Sequence, residues 1–340
     1  MPTTEARASR DDAIPPLFLG ASAAARRVRD EIARAARTEA TILIQGESGV
    51  GKELVAREIH LRSRRSRGPF VALNCAAIPD TLLESEIFGH EAGAYTDARL
   101  AHRGALEQAH GGTLFLDEVG DLSPQAQPKL LRALEAGESV RVGGERARPL
   151  DVRFVSATNH PLRAMAKDGR FRLDLYYRLR VIEVRVPPLR DRLDDIVSLA
   201  EHFARLAMTA SGRGFDGLTP ESIPMLLAHR WPGNVRELRS VIERAIALDP
   251  SPRLTVDDSC LDLETDPRIT LRGLFSKEWK LARSRFEAAY AAHLIEKHGG
   301  DVRKAAQAAG LVPRSLYKML RRLGLRPGPE PPEGGSGEEG

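Results

Sequence analysis

The fold is decided by the stretch Gly46-Glu47-Ser48-Gly49-Val50-Gly51-Lys52, which follows an apolar run at 41–45 and precedes a helical pattern opening at Glu53. A glycine-rich turn between a buried strand and a helix brings backbone N–H groups and the positive end of the helix dipole to an anion, and Lys52 adds a point charge. Residues 46–53 are therefore predicted to cradle a polyphosphate. A glycine-rich surface turn is the alternative.

The last position of this stretch departs from the general pattern, because Glu53 stands where Ser or Thr is usual. A direct hydroxyl ligand for Mg²⁺ is therefore missing, and the metal must rely on other groups and on water.

A second motif, Gly111-Gly112-Thr113-Leu114-Phe115-Leu116-Asp117-Glu118, reads as a buried strand that ends in two carboxylates. In an open α/β sheet, the carboxyl ends of the strands present groups to a ligand. We expect Asp117 to hold Mg²⁺ and Glu118 to orient or deprotonate an attacking water. The two acids alone are also compatible with a solvated turn, but together with the glycine-rich turn they favour hydrolysis.

Composition narrows the class of protein. With 340 residues and 42% hydrophobic content, the chain is long enough for two or three domains. It has no run of 18 apolar residues, and residues 1–10 lack an apolar signal region, so we expect a soluble cytoplasmic protein without a membrane partner. The two cysteines, Cys75 and Cys260, lie outside any metal-binding or disulfide pattern.

Short apolar runs alternate with helical patterns, which predicts an α/β fold with a mostly parallel sheet. The predicted strands cover residues 41–45, 70–74, 113–117, 153–159 and 181–186, and a helix at 21–37 precedes them. After residue 187 the strand signals stop and helical spacing continues. Thr219 is predicted to cap a helix with Pro220 in its first position, and Asn234 to cap another, with Glu237 completing a capping box.

The C-terminal part is basic. Residues 271–326 hold 13 Lys and Arg against 4 Asp and Glu, a local net charge of +9, which leaves −5 for the remainder. A small-residue helix, a turn at 310–312 and a helix from Pro313 have helix-turn-helix spacing, and the last helix carries a basic face. The candidate DNA contacts are Arg314, Ser315, Lys318, Arg321 and Arg322.

Within this set, Arg314 and Lys318 are assigned to base edges or nearby phosphates, and Arg321 and Arg322 to phosphates. A solvated surface helix is the alternative. Because dimers of such modules bind two-fold related half-sites, we expect a palindromic DNA site.

Five motifs in fixed order resemble those of the bacterial enhancer-binding proteins of the NtrC type, the AAA+ ATPases that activate sigma-54 RNA polymerase. They are GESGVGKE (46–53), FGHEAGAYTDA (88–98), GGTLFLDEVGDL (111–122), GRFRLDLYYRL (169–179) and WPGNVREL (231–238), followed by a Fis-like helix-turn-helix. The resemblance runs from about residue 18 to residue 326.

Composition and the resemblance together divide the chain into six segments. These are a short N-terminal extension (1–16), an AAA+ α/β core (17–187), an AAA+ helical lid (188–248), a linker (249–270), a helix-turn-helix domain (271–326) and a disordered tail (327–340). No input domain is visible ahead of the core, where many relatives carry one.

The resemblance also implies roles for residues that composition and spacing do not assign. Asn74 matches the residue that restrains the catalytic glutamate, Thr158 and Asn159 match the sensor near the γ-phosphate, and Arg236 matches the second sensor on the lid. Arg172 and Arg178 match arginine fingers that reach the nucleotide of a neighbouring subunit. A cation supplied from a neighbour makes assembly, expected as dimers and a hexameric ring, part of catalysis.

The loop that contacts sigma-54 reads GAFTGA in the family, whereas this chain has Gly93-Ala94-Tyr95-Thr96-Asp97-Ala98. Asp97 replaces a glycine and adds a negative charge, although Asp tolerates positive φ better than most residues.

The leading hypothesis is an ATP-hydrolysing transcriptional activator that binds upstream DNA and remodels sigma-54 RNA polymerase. One alternative is a DNA-binding regulator that acts without sigma-54 and uses nucleotide mainly to control its oligomeric state. A second is an ATPase that remodels another protein.

Overall fold

The computed structural model describes residues 17–94, 100–257, 260–261, 290–291, 294–295, 297–298 and 301–322, with the backbone alone at 318–319 and 321–322. The chain divides into two compact units, the first ending at Cys260 and the second beginning at Leu261.

The first unit is built on a parallel sheet. The strands in chain order are β1 (Ile42–Gln45), β2 (Phe70–Asn74), β3 (Thr113–Asp117), β4 (Glu138–Ser139), β5 (Arg148–Pro149), β6 (Arg153–Thr158) and β7 (Ile182–Arg185). Five of them form a sheet in the order β2-β3-β6-β1-β7, and every neighbouring pair is parallel. The predicted α/β fold with a mostly parallel sheet is confirmed, and all five predicted strands agree within one residue at each end.

Helices cover both faces of this sheet. They are α1 (Ala23–Ala36), α2 (Lys52–Leu61), α3 (Asp80–Phe88), α4 (Ala105–Gln108), α5 (Ala126–Ala136), α6 (Leu162–Lys167) and α7 (Leu173–Leu179). Side chains of α1 and α2 pack with Ile42 and Ile44, whereas those of α3 to α7 pack with Leu43. Successive side chains of β1 point to opposite faces of the sheet, as the two-residue period of a strand requires. Because helices pack on both sets of side chains, the sheet is buried on both faces.

Three helices follow the sheet and form the lid: α8 (Asp194–Ala210), α9 (Ser222–Ala228) and α10 (Asn234–Leu248). The prediction that Thr219 and Pro220 begin a helix is wrong by two residues, because α9 begins at Ser222. The Thr219 hydroxyl meets Ser222 Oγ at 2.8 Å instead of a backbone N–H, which leaves Pro220 in a turn.

In the second unit, α11 (Val302–Ala308) and α12 (Pro313–Arg322) are joined by a turn in which Gly310 has φ +66°. Asp301 caps α11 by accepting hydrogen bonds from Arg303 N and Lys304 N. Leu316 and Leu320 of α12 are buried against Val302, Ala305 and Ala306 of α11.

None of the helices in the described ranges is long and apolar enough to span a membrane.

Candidate functional site

The turn between β1 and α2 is shaped for an anion. Gly49 and Gly51 have φ of +79° and +101°, the left-handed region that favours glycine. No backbone N–H from Gly49 to Leu54 donates to an acceptor in the described part of the chain, and the first intrahelical bond is Val55 N to Gly51 O. The turn therefore offers a row of free donors at the N-terminus of a ten-residue helix.

Lys52 is the first residue of α2, directly after this turn. It is only 7% exposed. Its Nζ donates to Gly46 O at 3.1 Å and to Glu118 Oε1 at 2.8 Å. A lysine of a simple surface turn would be exposed, so its burial against the end of β3 favours the cradle over that alternative.

The two carboxylates at the end of β3 lie in different surroundings. Asp117 Oδ1 accepts a hydrogen bond from Glu118 N, and burial together with the neighbouring Glu118 charge raises the pKa of Asp117 above its usual value. Glu118 has φ +51°, and its Oε2 accepts from Asn159 N at 2.9 Å. Glu118 therefore lies between Lys52 on one side and the end of β6 on the other.

The end of β6 holds the residues assigned to the sensor. Thr158 is fully buried, and its Oγ1 accepts from His160 N at 3.0 Å. Asn159 is exposed and contacts Glu118 through its backbone. His160, which the sequence did not single out, places its Nε2 3.0 Å from Asp121 Oδ1, so the segments after β3 and β6 are in contact.

Asn74 ends β2, in register with Asp117 on the adjacent strand. Its Oδ1 accepts hydrogen bonds from Ala76 N and Ala77 N at 2.9 and 3.2 Å. The next residue is Cys75, whose thiol is buried beside Asp117, Asp121 and Glu118. Burial and, after it, these negative charges raise the pKa of Cys75 to about 12.

The lid contributes Arg236, whose Nη1 donates to Ser48 Oγ at 2.9 Å. Asn234 does not cap α10 with its side chain, so that prediction is wrong. Its amide is already occupied by Leu189 N and Ser48 O, and Glu237 accepts from Gly233 N instead. Sequence reasoning missed this use of Asn234 because its partners lie 45 and 186 residues away in the chain.

The two arginines assigned as fingers lie at the two ends of α7. Arg172 is exposed at the start of α7 and forms an ion pair with Asp174 at 2.7 Å. Arg178, at the end of α7, donates to Leu134 O at 3.0 and 3.3 Å. It lines a cavity of about 340 Å³ with Thr41 and Val181. Thr41 precedes β1 and the glycine-rich turn follows β1, so the cavity and the turn lie at opposite ends of this strand.

The loop assigned to sigma-54 is described only at its start. Gly93 has φ +82°, and Ala94 N donates to Glu91 O at 3.1 Å. Tyr95, Thr96, Asp97 and Ala98 lie outside the described residues. The base of the loop is closed by two backbone hydrogen bonds between His90 and His102, at 2.9 and 3.1 Å.

In the second unit, Arg314 and Ser315 are exposed on α12. The side chains of Lys318, Arg321 and Arg322 lie outside the described residues.

The residues at the glycine-rich turn fit a nucleoside triphosphate, because free N–H donors, Lys52 and Arg236 together match its negative charges. Asp117 fits a cation, since a desolvated carboxylate gains from a positive charge. Within the described ranges, no group of three or more His, Cys, Asp or Glu residues could hold a metal alone. Magnesium would therefore need phosphate oxygens and water as further ligands.

Comparison with known proteins gives two family matches. Residues 18–185 match the sigma-54 interaction domain, and residues 190–268 match the AAA+ ATPase lid domain. The chain is 44% identical over 318 residues to the Nif-specific regulatory protein of Azotobacter vinelandii, covering 91% of this chain and 59% of that protein. It is 44% identical over 305 residues to the transcriptional regulatory protein ZraR of Escherichia coli K12, covering 90% and 68%.

Among solved structures, NtrX from Brucella abortus in complex with ATP superimposes with a TM-score of 0.70 at 37% identity. The match covers 94% of this chain and 72% of that one. Compared with the Nif-specific regulatory protein and ZraR, the chain spans about three fifths and about two thirds of their respective lengths. The resemblance drawn from the sequence motifs is confirmed: this chain belongs to the family of proteins that carry the sigma-54 interaction domain and its AAA+ lid.

Proposed function

We propose that the protein is an ATP-hydrolysing transcriptional activator that binds upstream DNA and remodels sigma-54 RNA polymerase. The observation that carries the proposal is the convergence of Lys52, Glu118 and the lid residue Arg236 on one glycine-rich turn. The regulatory proteins named above support the transcriptional role, and the ATP of the NtrX complex supports the nucleotide.

Each residue at the turn has a defined task in hydrolysis. The N–H groups of residues 49–54 bind the phosphates, and Lys52 exchanges its contact with Glu118 for one with a phosphate oxygen. Asp117 would hold magnesium together with phosphate oxygens, and the bound cation would neutralise charge on the phosphates. Arg236 contributes a second cation from the lid.

Glu118, once released by Lys52, accepts the proton of the attacking water. Thr158 and Asn159 lie beside it at the end of β6, where they sense the γ-phosphate. Asn74 stands on the adjacent strand with its Oδ1 occupied by the backbone, so its Nδ2 is the atom that can hold the glutamate back.

The remaining assignments concern partners. Arg172 and Arg178 act on the nucleotide of a neighbouring subunit, in dimers or a hexameric ring, because Arg178 lies at the opposite edge of the sheet from the glycine-rich turn of its own chain. The segment 93–98 contacts sigma-54. The second unit, with Arg314 and Ser315 exposed on α12, binds a palindromic DNA site.

The test is transcription by purified components from a sigma-54 promoter that carries an upstream site, with and without hydrolysable ATP. Wild type should give an ATP-dependent open complex, and Glu118→Ala and Lys52→Ala should abolish both this complex and ATP turnover. Both variants should still bind DNA with the steep salt dependence of phosphate contacts.

The outcomes separate the alternatives. Little ATP turnover and no ATP-dependent open complex would favour the regulator that acts without sigma-54. Turnover without an open complex would favour the ATPase that remodels another protein. An ATPase rate unchanged by Glu118→Ala would refute the site assignment itself.

A further inference from the structure

The glycine-rich turn is held from its outer side by three residues, Glu47, Arg190 and Asn234, which we call the clasp. Glu47 belongs to the turn, Arg190 to the segment between sheet and lid, and Asn234 to the first turn of α10. Their side chains meet although they are separated by up to 187 residues in sequence.

Asn234 is the buried member of the clasp, with 0% exposure. Its Oδ1 accepts from Leu189 N at 2.8 Å, and its Nδ2 donates to Ser48 O at 3.0 Å and to Glu47 Oε2 at 3.2 Å. The orientation of the amide is fixed chemically, because Leu189 N can only donate and Ser48 O can only accept. A carboxylate would supply the acceptor alone, and an ammonium group the donor alone.

The backbone next to Asn234 also forms hydrogen bonds with the glycine-rich turn. Val235 N and Arg236 N both donate to Gly49 O, at 3.0 and 3.2 Å. A Cβ on Gly49 would lie 2.3 Å from Gly233 O, so the two backbones touch without room for a side chain. The carbonyls of Ser48 and Gly49 thus face the lid, while the N–H groups of the turn stay free for a ligand.

The exposed members of the clasp contribute less. Arg190 donates to both carboxylate oxygens of Glu47, at 2.6 and 2.8 Å, but the two side chains are 45% and 43% exposed. A solvent-screened ion pair adds little by itself. The buried amide of Asn234 is therefore the part of the clasp that fixes the turn to the lid.

We infer that Asn234 is a positioning residue that makes docking of the lid and binding of the triphosphate a single equilibrium. The amide holds the carbonyl side of the turn only while the lid is docked, and the docked turn presents its N–H groups to phosphate. By linkage, phosphate binding must then stabilise the docked lid to the same extent. The inference rests on the proposed function, since it assumes that the turn binds ATP.

The first experiment is equilibrium binding of a fluorescent ATP analogue to the full chain. Asn234→Asp keeps the acceptor for Leu189 N, loses the donor to Ser48 O and sets a carboxylate against Glu47. Loss of a buried hydrogen bond with this repulsion should raise the Kd about 30-fold. Arg239→Ala is the matched control, because Arg239 is an exposed residue of α10 that pairs with the exposed Glu243, and it should leave the Kd unchanged.

Two further variants separate positioning from simple stability. Asn234 has φ +54°, which glycine adopts without strain, so Asn234→Gly removes the amide while keeping the backbone, and it should weaken binding as Asn234→Asp does. In the double variant Glu47→Gln, Asn234→Asp, the new amide can donate to the new carboxylate, which should recover part of the affinity. A merely destabilised protein would instead bind fewer equivalents of analogue at an unchanged Kd.

The second readout is hydrogen exchange at Val235 N and Arg236 N, which report lid docking because both donate to Gly49 O. Saturating analogue should slow exchange of these amides in wild type, and Asn234→Asp should speed it when no analogue is bound. If wild type binds the analogue, two results would overturn the inference. One is an unchanged Kd in Asn234→Asp. The other is an exchange rate at both amides that neither the analogue nor Asn234→Asp changes. Failure of wild type to bind the analogue would instead refute the proposed function.

Discussion

Arg178 offers a direct test of catalysis across subunits, because it cannot serve the nucleotide of its own chain. Thr41 Oγ1 donates to Arg178 O at 2.6 Å, and Thr41 stands immediately before β1. The glycine-rich turn follows the other end of β1, so five residue steps of about 3.3 Å separate Thr41 from Gly46 by about 16 Å. The guanidinium donates to Leu134 O, which lines the same cavity as Thr41.

Two inactive variants should therefore restore each other. An arginine supplied by a neighbour contributes about 10³ to 10⁵ in rate, so Arg178→Ala should lose about 4 to 7 kcal/mol of transition-state stabilisation. The free energy of unfolding of this variant should fall by only about 1 kcal/mol, because the variant loses the two hydrogen bonds to Leu134 O. Glu118→Gln is inactive for a different reason, because it lacks the base.

The assay is steady-state ATP turnover of the two variants alone and mixed in equal amounts at a protein concentration that supports assembly. In a random ring, a site works when one subunit supplies Glu118 and its neighbour supplies Arg178, so the mixture should recover about a quarter of wild-type turnover. The same mixing with Arg172→Ala tests the second arginine. A mixture no more active than its separate components would refute catalysis in trans, as would full activity of Arg178→Ala alone.

Two further substitutions test the energetics around the site. Burial, followed by the charge of Glu118, raises the pKa of Asp117 in the folded protein, so its ionisation destabilises the fold as the pH rises through that raised pKa. Asp117→Asn should therefore raise the melting temperature at pH 7 while abolishing magnesium-dependent turnover, and a lower melting temperature would contradict this sign. Asp195, fully buried in α8, accepts from Ser22 N and Ser22 Oγ at 2.7 Å each. Asp195→Ala leaves both donors unpaired and should cost about 3 kcal/mol in chemical denaturation, whereas the exposed neighbour control Asp194→Ala should change little.

Features that depend on neighbouring residues could be predicted from the sequence. The strand, turn and helix around Lys52 follow from an apolar run, closely spaced glycines and helical periodicity, all within about twenty residues. The carboxylates of β3 could be assigned to the same edge because parallel strands end together.

Features that depend on distant partners could not be predicted. Asn234 has the sequence signature of a helix cap, and no local pattern indicates that Leu189 and Ser48 compete for its amide. Arg153 begins β6 and would ordinarily be placed in solvent, yet it is almost fully buried and donates to Ala35 O at 2.7 Å. That carbonyl lies in the last turn of α1, where the negative end of the helix dipole attracts a cation. Such contacts are set by tertiary packing, and the residues next to them in sequence do not predict them.

The thiol that follows Asn74 has a practical consequence. With its pKa raised to about 12, Cys75 carries almost no thiolate at neutral pH, and thiolate is the form that reacts with maleimides and iodoacetamides. The other cysteine, Cys260, is also buried. A single cysteine engineered on the outer side of α10 could thus accept a fluorophore or spin probe in the otherwise native chain, and movements of the lid could be followed in real time.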